Sequence, residues 1–423
     1  MKRKIKVKNV LILVGILVII IVLLTIVIFG TNSKLDNKEN NKDGDKEIKE
    51  IITDFKNMRL SKVEDYSKRN NLELIINYDY SDLEKDIVIN SELNDNVLNI
   101  LVSLGSIPYD DYKEYKVNEL GKVPIMMYHG IVDTEENEYT GGNVDKDGYN
   151  RTSKAFLRDL EFYYEKGYRM VRLNDYVNGK INVSLGNSPI ILTFDDGNAN
   201  NFKVTGKDTE GNLIFDPNSA IGILESIKKK YPDYNVTATF FLNNGLCNQP
   251  EYNEDIIKWL INNGYDIGNH TTTHADFSSI NTTKTQEVVG KLYQKLDSII
   301  PGQYVKIIAL PFGSPYKKTH SNYQYILNGE YNGYSYQTEA ALRVGWEAEV
   351  SPFDASFDKT FLKRCRAYDN NGKDFDIEMN FRLLDKNRYI SDGNINTIVI
   401  PKSNENKLIT NSELKTITYE EDV

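Results

Sequence analysis

The chain has 423 residues, more than one typical domain, and its composition of 40% hydrophobic and 26% charged residues is that of a globular protein with solvated segments. The formal net charge of −10 argues against nucleic-acid binding, which favours basic surfaces. Two cysteines, Cys247 and Cys365, exclude a disulfide framework. We expect both to be unpaired, with a single bridge between them as the alternative.

The first fifty residues predict a membrane anchor followed by a spacer. Residues 1–9 carry five basic side chains and predict a cytoplasmic tail, whereas residues 10–30 contain no charge. This apolar stretch is long enough to cross a hydrocarbon core of ~30 Å, and the basic flank keeps the N-terminus in the cytoplasm. Because no small-x-small cleavage site follows, we expect a retained single-pass anchor, with a cleaved signal peptide as the alternative. Residues 31–52 are almost entirely polar and predict a disordered linker outside the cytoplasm.

Residues 53–107 predict a small α+β domain. The stretch from Ser61 to Glu64 has a capping-box pattern, which predicts the start of a helix that ends at Asn70. Residues 72–78 and 97–103 predict strands. A helix followed by a few strands resembles a PASTA module, a type of domain found on extracytoplasmic proteins of cell-wall metabolism. That resemblance implies binding to the cell wall, and a spacer domain without a ligand is the alternative.

Residues 108–122 predict a linker, residues 123–403 a catalytic domain, and residues 404–423 a polar tail. In the middle segment short apolar strands alternate with amphipathic helices, which indicates a parallel sheet covered by helices. The predicted strands are 123–129, 168–171, 190–194, 235–242 and 305–310, and the predicted helices are 151–166, 220–230, 253–263 and 282–300. The fold class is therefore α/β.

Two motifs in this domain carry residues suited to catalysis. Asp195 and Asp196 follow the strand 190–194, and in parallel α/β folds the chemistry lies at the carboxyl ends of strands. An Asp-Asp-Gly turn that only caps the strand is the alternative. Further on, His270 and His274 are four residues apart, so that a helical turn would place both imidazoles on one face. Two imidazoles and one carboxylate make a three-ligand site typical of catalytic zinc.

Together these motifs resemble the signature of the polysaccharide deacetylases, the NodB-like enzymes of carbohydrate esterase family 4. The resemblance implies a distorted, incomplete (β/α) barrel over about 123–401. It also implies a divalent metal, with Zn²⁺ the expected ion, that polarises an acetamide carbonyl and lowers the pKa of a bound water. The site residues that it implies are Asp195 as general base, Asp196, His270 and His274 as metal ligands, and Phe312, whose backbone N–H would donate to the oxyanion.

The sequence departs from the family pattern at two points. The stretch Leu310-Pro311-Phe312-Gly313 resembles the third motif of the family, but Ala309 stands where that motif usually begins with an arginine. No histidine follows His320, although the family usually has a strand ending in histidine near the C-terminus. The strand ending in His129 has that character but comes first, as in the family branch that acts on poly-N-acetylglucosamine. This permuted arrangement implies that His129 is the general acid. Arg364 is a candidate to replace the missing arginine, but we expect it, like His320, to be a surface residue.

The sequence therefore predicts a membrane-anchored, metal-dependent enzyme that removes N-acetyl groups from cell-wall polysaccharide. The anchor and the PASTA-like module favour peptidoglycan, whereas the permuted motif favours exopolysaccharide poly-N-acetylglucosamine. An O-acetyl carbohydrate esterase with the same site is an alternative, because an ester and an amide share the tetrahedral intermediate. A wall-binding protein without activity is the non-enzymatic alternative. The intact set of two aspartates and two histidines, Asp195, Asp196, His270 and His274, argues against it.

Overall fold

The computed structural model describes residues 54–136, 141–410 and 412–421. They divide into two compact units, one ending at Ser106 and one beginning at Ile107. The predicted cytoplasmic tail, the anchor over 10–30 and the linker over 31–52 lie outside the described residues. Among the described residues, no helix is both long enough and apolar enough to cross a membrane.

The first unit consists of helix α1 (Leu60–Arg69) and strands β1 (Glu73–Asp79), β2 (Val88–Asn94) and β3 (Val97–Ser103). Strand β3 is central, parallel to β1 and antiparallel to β2. Val63 of α1 belongs to the same core as the alternate β3 residues Leu98, Ile100 and Val102, because alternate residues of a strand share one face. The predicted helix and the two predicted strands are confirmed, and the likeness to a PASTA module stays a prediction.

The capping box predicted at Ser61 is wrong. The helix begins two residues earlier than a cap at Ser61 implies, its N-cap is Arg59, and no side chain caps it. Strand β2 was not predicted, because only Val88 is fully buried and four of its seven side chains are polar.

The second unit contains one large sheet surrounded by helices. Its helices are α2 (Tyr109–Tyr115), α3 (Ser153–Glu165), α4 (Leu173–Val177), α5 (Ala220–Lys230), α6 (Asn253–Asn262), α7 (Thr282–Ile299), α8 (Tyr323–Leu327) and α9 (Ile377–Leu384). Its strands are β4 (Ile125–Tyr128), β5 (Ile131–Val132), β6 (Arg151–Thr152), β7 (Tyr168–Met170), β8 (Ser188–Phe194), β9 (Val204–Lys207), β10 (Leu213–Phe215), β11 (Thr239–Leu242), β12 (Asp266–Asn269), β13 (Ile307–Ala309), β14 (Asn328–Tyr331), β15 (Tyr334–Gln337), β16 (Ala340–Leu342), β17 (Cys365–Arg366), β18 (Thr397–Pro401) and β19 (Lys415–Tyr419).

The large sheet is entirely parallel, with the order β16-β13-β12-β11-β8-β4-β17, and β7 pairs with the first half of β8. Every residue of β8 is buried, as expected for a parallel strand covered on both faces. Ile190, Leu192 and Phe194 pack in the core beneath α3 and α5, whereas Ile191 packs with Ile307 in a second core on the other face. The predicted α/β class is confirmed, and so are the predicted strand and helix positions to within a few residues.

A short segment from Leu362 to Arg366 joins the two edges of this sheet. The Leu362 N–H donates to the carbonyl of Ala341 in β16, at 2.8 Å, and Cys365 pairs with Met126 in β4. The parallel sheet is therefore curled, and the segment 362–366, hereafter the closing segment, bridges the gap between its edges. The predicted distorted barrel is confirmed at the level of a curled parallel sheet.

The predicted linker 108–122 and polar tail 404–423 are corrected by the structure, because both contribute to the second unit. The linker contains α2, and Glu119 is buried where it accepts a 2.7 Å hydrogen bond from the Val399 N–H. The tail contains β19, which is parallel to β18, and the Tyr419 hydroxyl donates to the Val117 carbonyl at 2.8 Å. Single buried apolar residues in a polar sequence, such as Val117 and Ile417, are too weak a signal to predict this packing.

Cys247 and Cys365 are both buried and free, so the prediction of unpaired cysteines is confirmed. Burial raises the pKa of both thiols well above its usual range. The thiols stay protonated at neutral pH and are therefore poor nucleophiles.

Candidate active site

A pocket opens where β4, β8, β12 and β13 end, at their carboxyl ends. It is lined by His129, Tyr149, Asn150, Asp195, Asp196, Asn198, His270, His274, Leu310, Phe312 and Val344. All six residues that the sequence predicted for the site are among them. His320 does not line this pocket, and it lies partly exposed, where its Nδ1 accepts a hydrogen bond from the Asn322 N–H.

The pairing of β4 with β8 places His129 next to Asp195. Tyr128 lies opposite Phe194 in the parallel register, and the Asp195 N–H donates to the Tyr128 carbonyl at 3.0 Å. His129 is the residue that follows β4, as Asp195 follows β8, so a polar side chain stands at the same level at the end of both strands.

Asp195 and Asp196 leave β8 in opposite directions. Asp195 shares the face of Ile191, inside the curled sheet, whereas Asp196 adopts a left-handed φ of 73° and turns away. Gly197 follows at φ 63°, and a Cβ there would overlap the carbonyl oxygen of Leu246. The Asn243 amide donates to the Asp196 carbonyl at 2.8 Å and stabilises the turn. The Asp-Asp-Gly sequence is thus a turn, and the same turn separates the two carboxylates.

Asp196, His270 and His274 form a cluster that could hold a metal ion. Asp196 Oδ1 lies 3.2 Å from His270 Nε2 and 3.5 Å from His274 Nε2, and the candidate ligand atoms all lie within 4.8 Å of one another. His270 Nδ1 lies 2.9 Å from the carbonyl oxygen of Ala309. Since a carbonyl only accepts, Nδ1 must carry the proton of the neutral ring.

The position of the proton on His270 indicates whether the cluster fits a metal. It leaves a lone pair on His270 Nε2, a buried atom without a hydrogen-bond partner among the described residues, next to a carboxylate oxygen. Two acceptors this close repel each other unless a cation or a proton lies between them. A ligating histidine whose other nitrogen donates to a carbonyl is the usual arrangement around protein metals, so the donor set fits a divalent ion.

The helical turn predicted for residues 270–274 is wrong. Strand β12 ends at Asn269, and the chain continues as a loop in which Thr271 (φ 63°) and His274 (φ 52°) are left-handed. The Asn269 side chain accepts from the Thr271 N–H at 2.8 Å and so fixes the beginning of this loop. Three successive β-branched threonines disfavour a helix. The loop nevertheless brings the two imidazole centroids within 4.9 Å of each other.

Asp195 is held by Arg364, and the expectation that Arg364 is a surface residue is wrong. The arginine is 0% exposed and Asp195 is 2% exposed. The guanidinium donates to both carboxylate oxygens, Nη1 to Oδ1 at 2.8 Å and Nη2 to Oδ2 at 2.7 Å, while its Nε donates to the Arg343 carbonyl at 2.8 Å. Residues two apart in an extended segment face the same side, so Arg364 faces the inside of the curled sheet, as the buried Leu362 does. That alternation, together with the missing arginine at Ala309, is the signal that could have identified it.

The environment of Asp195 keeps its carboxylate charged. Burial by itself would raise the pKa of Asp195, but the positive charge and the hydrogen bonds of Arg364 help to outweigh burial, and the pKa lies well below its usual range. For His129 the balance is reversed. Burial lowers the pKa of this imidazole, and the carboxylates of Asp195 and Asp196 offset burial only in part.

Phe312 lies at the mouth of the pocket in a strained conformation. Its φ is 58°, which is unfavourable for a residue with a side chain, and the ring is 55% exposed and packs edge-on against His274 at 4.6 Å. Within the described part of the chain its backbone N–H has no acceptor. Strain of this kind, on the order of 1–3 kcal/mol, is concentrated at functional sites.

Comparison with known proteins identifies a related family for part of the chain. Residues 182–326 match the model of the polysaccharide deacetylase family, and this range contains both the Asp195–Asp196 and the His270–His274 motifs. The resemblance that the motifs predicted is thereby confirmed over this range. Peptidoglycan-N-acetylglucosamine deacetylase of Bacillus cereus is 32% identical over 101 residues, which are 24% of this chain and 35% of that protein. The chain thus spans about a third of the length of this curated relative.

Solved structures of lower similarity were also found. The deacetylase PplD of Streptococcus pyogenes in complex with acetate is 17% identical, covers 59% of this chain and 93% of its own, and has a TM-score of 0.43. A de-N-acetylase from Aggregatibacter actinomycetemcomitans is 13% identical, covers 57% of this chain and 94% of its own, and has a TM-score of 0.37.

Proposed function

We propose that this protein is a metal-dependent hydrolase that removes N-acetyl groups from N-acetylglucosamine units of cell-wall polysaccharide, with peptidoglycan as the favoured substrate. One observation carries the proposal: a buried, charged carboxylate, Asp195, shares a pocket with the metal-binding cluster of Asp196, His270 and His274. The family match over residues 182–326 supports the reaction class. The curated relative, whose name specifies peptidoglycan, supports the substrate.

Asp195 is the general base in this proposal. Its carboxylate accepts a proton from the attacking water, and the low pKa ensures that it is ionised when the water arrives. Arg364 occupies one lone pair on each oxygen and fixes the plane of the carboxylate, and a carboxylate has further lone pairs to accept the proton. A divalent metal, with Zn²⁺ the expected ion, would supply Lewis-acid polarisation of the acetyl carbonyl when bound by Asp196 and the two histidines.

Phe312 stabilises the oxyanion in this proposal. Its left-handed backbone lies beside the His274 ring, and its N–H is free to donate a hydrogen bond to the substrate. A fixed donor of this kind is already in position when charge develops in the transition state, so it costs no reorganisation. The strain at Phe312 is consistent with such a role, because relaxing φ would reorient the N–H.

His129 is the general acid that protonates the leaving amine. It lines the pocket next to Asp195 and packs edge-on against Tyr149, with ring centroids 4.8 Å apart. Because the pKa of His129 is lowered, the protonated imidazole is a stronger acid than free histidine, but less of it is protonated at neutral pH. Amide hydrolysis that needs this proton should therefore decline as the pH rises through the pKa of His129.

Replacing His129 with alanine should slow amide hydrolysis far more than hydrolysis of an aryl acetate. The amine needs a proton in order to leave, and loss of a general acid costs about 10²–10⁴-fold, whereas a phenolate leaves without help. The kcat/KM profiles of the parent and His129→Ala on both substrates measure this, and the variant should lose the decline at high pH. An equal loss on both substrates in a protein with the parent melting temperature would show that His129 is not the acid.

The location of the enzyme is also part of the proposal. We propose that residues 10–30 hold it in the cell membrane with the catalytic unit on the extracytoplasmic side, and that the PASTA-like unit contacts the wall. Exopolysaccharide poly-N-acetylglucosamine is the second candidate substrate, and the position of β4 beside β8, with His129 at its end, favours it. An O-acetyl esterase would use the same residues, and a wall-binding protein would not need the metal-binding cluster.

Acetate release from three substrates tests the proposal: purified peptidoglycan, poly-N-acetylglucosamine and an O-acetylated glycan. We expect release from peptidoglycan that a chelator abolishes and that added divalent metal restores. Faster acetate release from poly-N-acetylglucosamine than from peptidoglycan would make the exopolysaccharide the favoured substrate. Acetate release from the O-acetylated glycan alone would identify the enzyme as an O-acetyl esterase. Binding to wall without any release would favour the non-enzymatic alternative.

A further inference from the structure

A second pocket lies on the surface of the same unit, and an exposed tryptophan is its most prominent feature. Trp346 is 57% exposed and lines the pocket together with Arg366, Tyr368, Asn370 and Asp147. A tryptophan side chain that is left largely in water gains little from burial, since apolar area stabilises the fold only when it is removed from water. The exposed indole therefore has little to contribute to folding and is available to a ligand.

This pocket shares a wall with the candidate active site. The Arg366 guanidinium lies over two rings, 5.0 Å from the Tyr149 centroid and 4.3 Å from the Tyr368 centroid. Tyr149 lines the active-site pocket and contacts His129, whereas Tyr368 lines the second pocket. A single arginine thus holds one ring of each pocket by cation–π contacts.

The chain itself also connects the two pockets. Val344 lines the active-site pocket, and Trp346, two residues later, lines the second. Gly345 between them approaches the closing segment so closely that a Cβ would overlap the Arg364 backbone. The backbone between Val344 and Trp346 therefore packs against the segment that also holds Asp195, and the two pockets lie on either side of this contact.

The lining of the second pocket suits a neutral sugar better than an anion. Its charged side chains are of both signs, with Lys146 and Arg366 opposed by Asp147, Asp369 and Asp374, so that no positive field would attract a phosphate or a carboxylate. The three aromatic residues of the lining, Trp346, Tyr368 and Phe375, stand among charged and amide side chains, and this combination suits an uncharged ligand with apolar and polar faces. A pyranose ring has one apolar face and a rim of hydroxyl groups.

We propose that this pocket binds a neutral N-acetylated sugar unit of the same polymer, next to the unit whose acetyl group is removed, and that the sugar stacks on Trp346. The inference rests on the proposed function only in taking the polymer as the substrate. It adds a second binding position on the barrel, which makes chain length a determinant of affinity.

Tryptophan fluorescence of the full-length protein tests the proposal independently of activity. The chain has two tryptophans, so Trp259→Phe leaves Trp346 as the single reporter. Trp259 is partly buried against Phe215 and Tyr265, and phenylalanine preserves most of that packing. Titration with N-acetylglucosamine and with its β-1,4-linked oligomers should change the Trp346 emission, with an affinity that rises from one sugar to several. Emission that does not respond to the longest oligomer would overturn the proposal.

Kinetics on the same oligomers supply the second readout. Stacking on an aromatic ring contributes about 0.5–1.5 kcal/mol, so Trp346→Ala should reduce the ratio of kcat/KM on a tetramer to kcat/KM on the monosaccharide by about 2- to 12-fold. Trp346→Phe should restore most of this ratio, and Leu383→Ala, which truncates another exposed apolar side chain outside both pockets, should leave it at the parent value. A ratio unchanged in Trp346→Ala would overturn the proposal.

The two proposals fail in different ways. Emission that responds to oligomers in a protein that releases no acetate would contradict the deacetylase function and support the sugar site. Acetate release with a silent Trp346 and no dependence on chain length would contradict the sugar site and support the deacetylase.

Discussion

Replacing Asp195 with asparagine should reduce acetate release by about 10²–10⁴-fold, because an amide cannot accept the proton of the attacking water. The metal content should stay at the parent value, since Asp196, His270 and His274 are unchanged. Acetate release and metal analysis of the purified variant measure both effects. If Asp195→Asn lost the metal and Asp196→Asn kept it, the two aspartates would have exchanged roles.

Two controls separate loss of the base from loss of the fold or of the metal. Asp195→Asn leaves the Arg364 charge buried without its carboxylate, so the variant must be assayed well below its own melting temperature. Arg364 keeps two other acceptors, the Arg343 carbonyl at 2.8 Å and the Thr193 hydroxyl at 3.2 Å, which limit the damage. His270→Ala, by contrast, should lose most of the metal, because two remaining ligands make a poor site.

Replacing Arg364 with methionine should destabilise the protein by about 3–5 kcal/mol, which is the usual result of leaving one partner of a buried ion pair uncompensated. The cost arises from Asp195, whose carboxylate would stay buried without its two strongest hydrogen bonds. Urea denaturation of both proteins measures the difference in the free energy of unfolding. A variant as stable as the parent would show that the pair contributes no net stability.

The loss should depend on pH in a direction that identifies its cause. In the parent, folding lowers the pKa of Asp195. Its charge therefore stabilises the fold at pH values above the pKa that Asp195 has in the unfolded chain, and this stabilisation is lost as the pH falls. In Arg364→Met the guanidinium no longer opposes the effect of burial, so the pKa of Asp195 should rise above the value it has in the unfolded chain. The variant should therefore lose stability as the pH rises. The difference between the two proteins in the free energy of unfolding should therefore be larger at pH 7.5 than at pH 5. Arg382→Met, which removes an exposed arginine beside Glu378, should cost about 0–1 kcal/mol at either pH.

The sequence contained most of the candidate site, because its residues follow strands. Asp195 and His129 come directly after apolar runs, and parallel strands bring their carboxyl ends to the same edge of a sheet. His270 follows β12 in the same way, although that strand is too short, and its Asp266–Asn269 sequence too polar, to be recognised by its composition. Adjacent strand ends thus make a site predictable even where individual strands are not.

The parts that were not predicted depend on contacts between distant segments. Arg364 is separated from Asp195 by 169 residues, and the alternation around Arg364 does not indicate which two strands the closing segment joins. The loop from His270 to His274 has the spacing of a helical turn, and only its left-handed residues distinguish it from one. Asn243 and Leu246, which fix the turn at Asp196 and Gly197, lie beyond β11 and could not be linked to it in advance.

The contact between Tyr419 and Val117 brings the last strand of the second unit next to the segment that follows its first helix. The Tyr419 hydroxyl donates to the Val117 carbonyl, and the Tyr419 ring lies 6.4 Å from that of Tyr112 in α2. Neighbouring ends of this kind are what allow a domain to be circularly permuted. Joining the two ends by a short linker and opening the chain between β5 and β6 would make β4, with His129, the last strand of the sheet. Chains with either order of strands can thus fold into the same sheet, because its assembly depends on which strands are neighbours and not on where the chain starts.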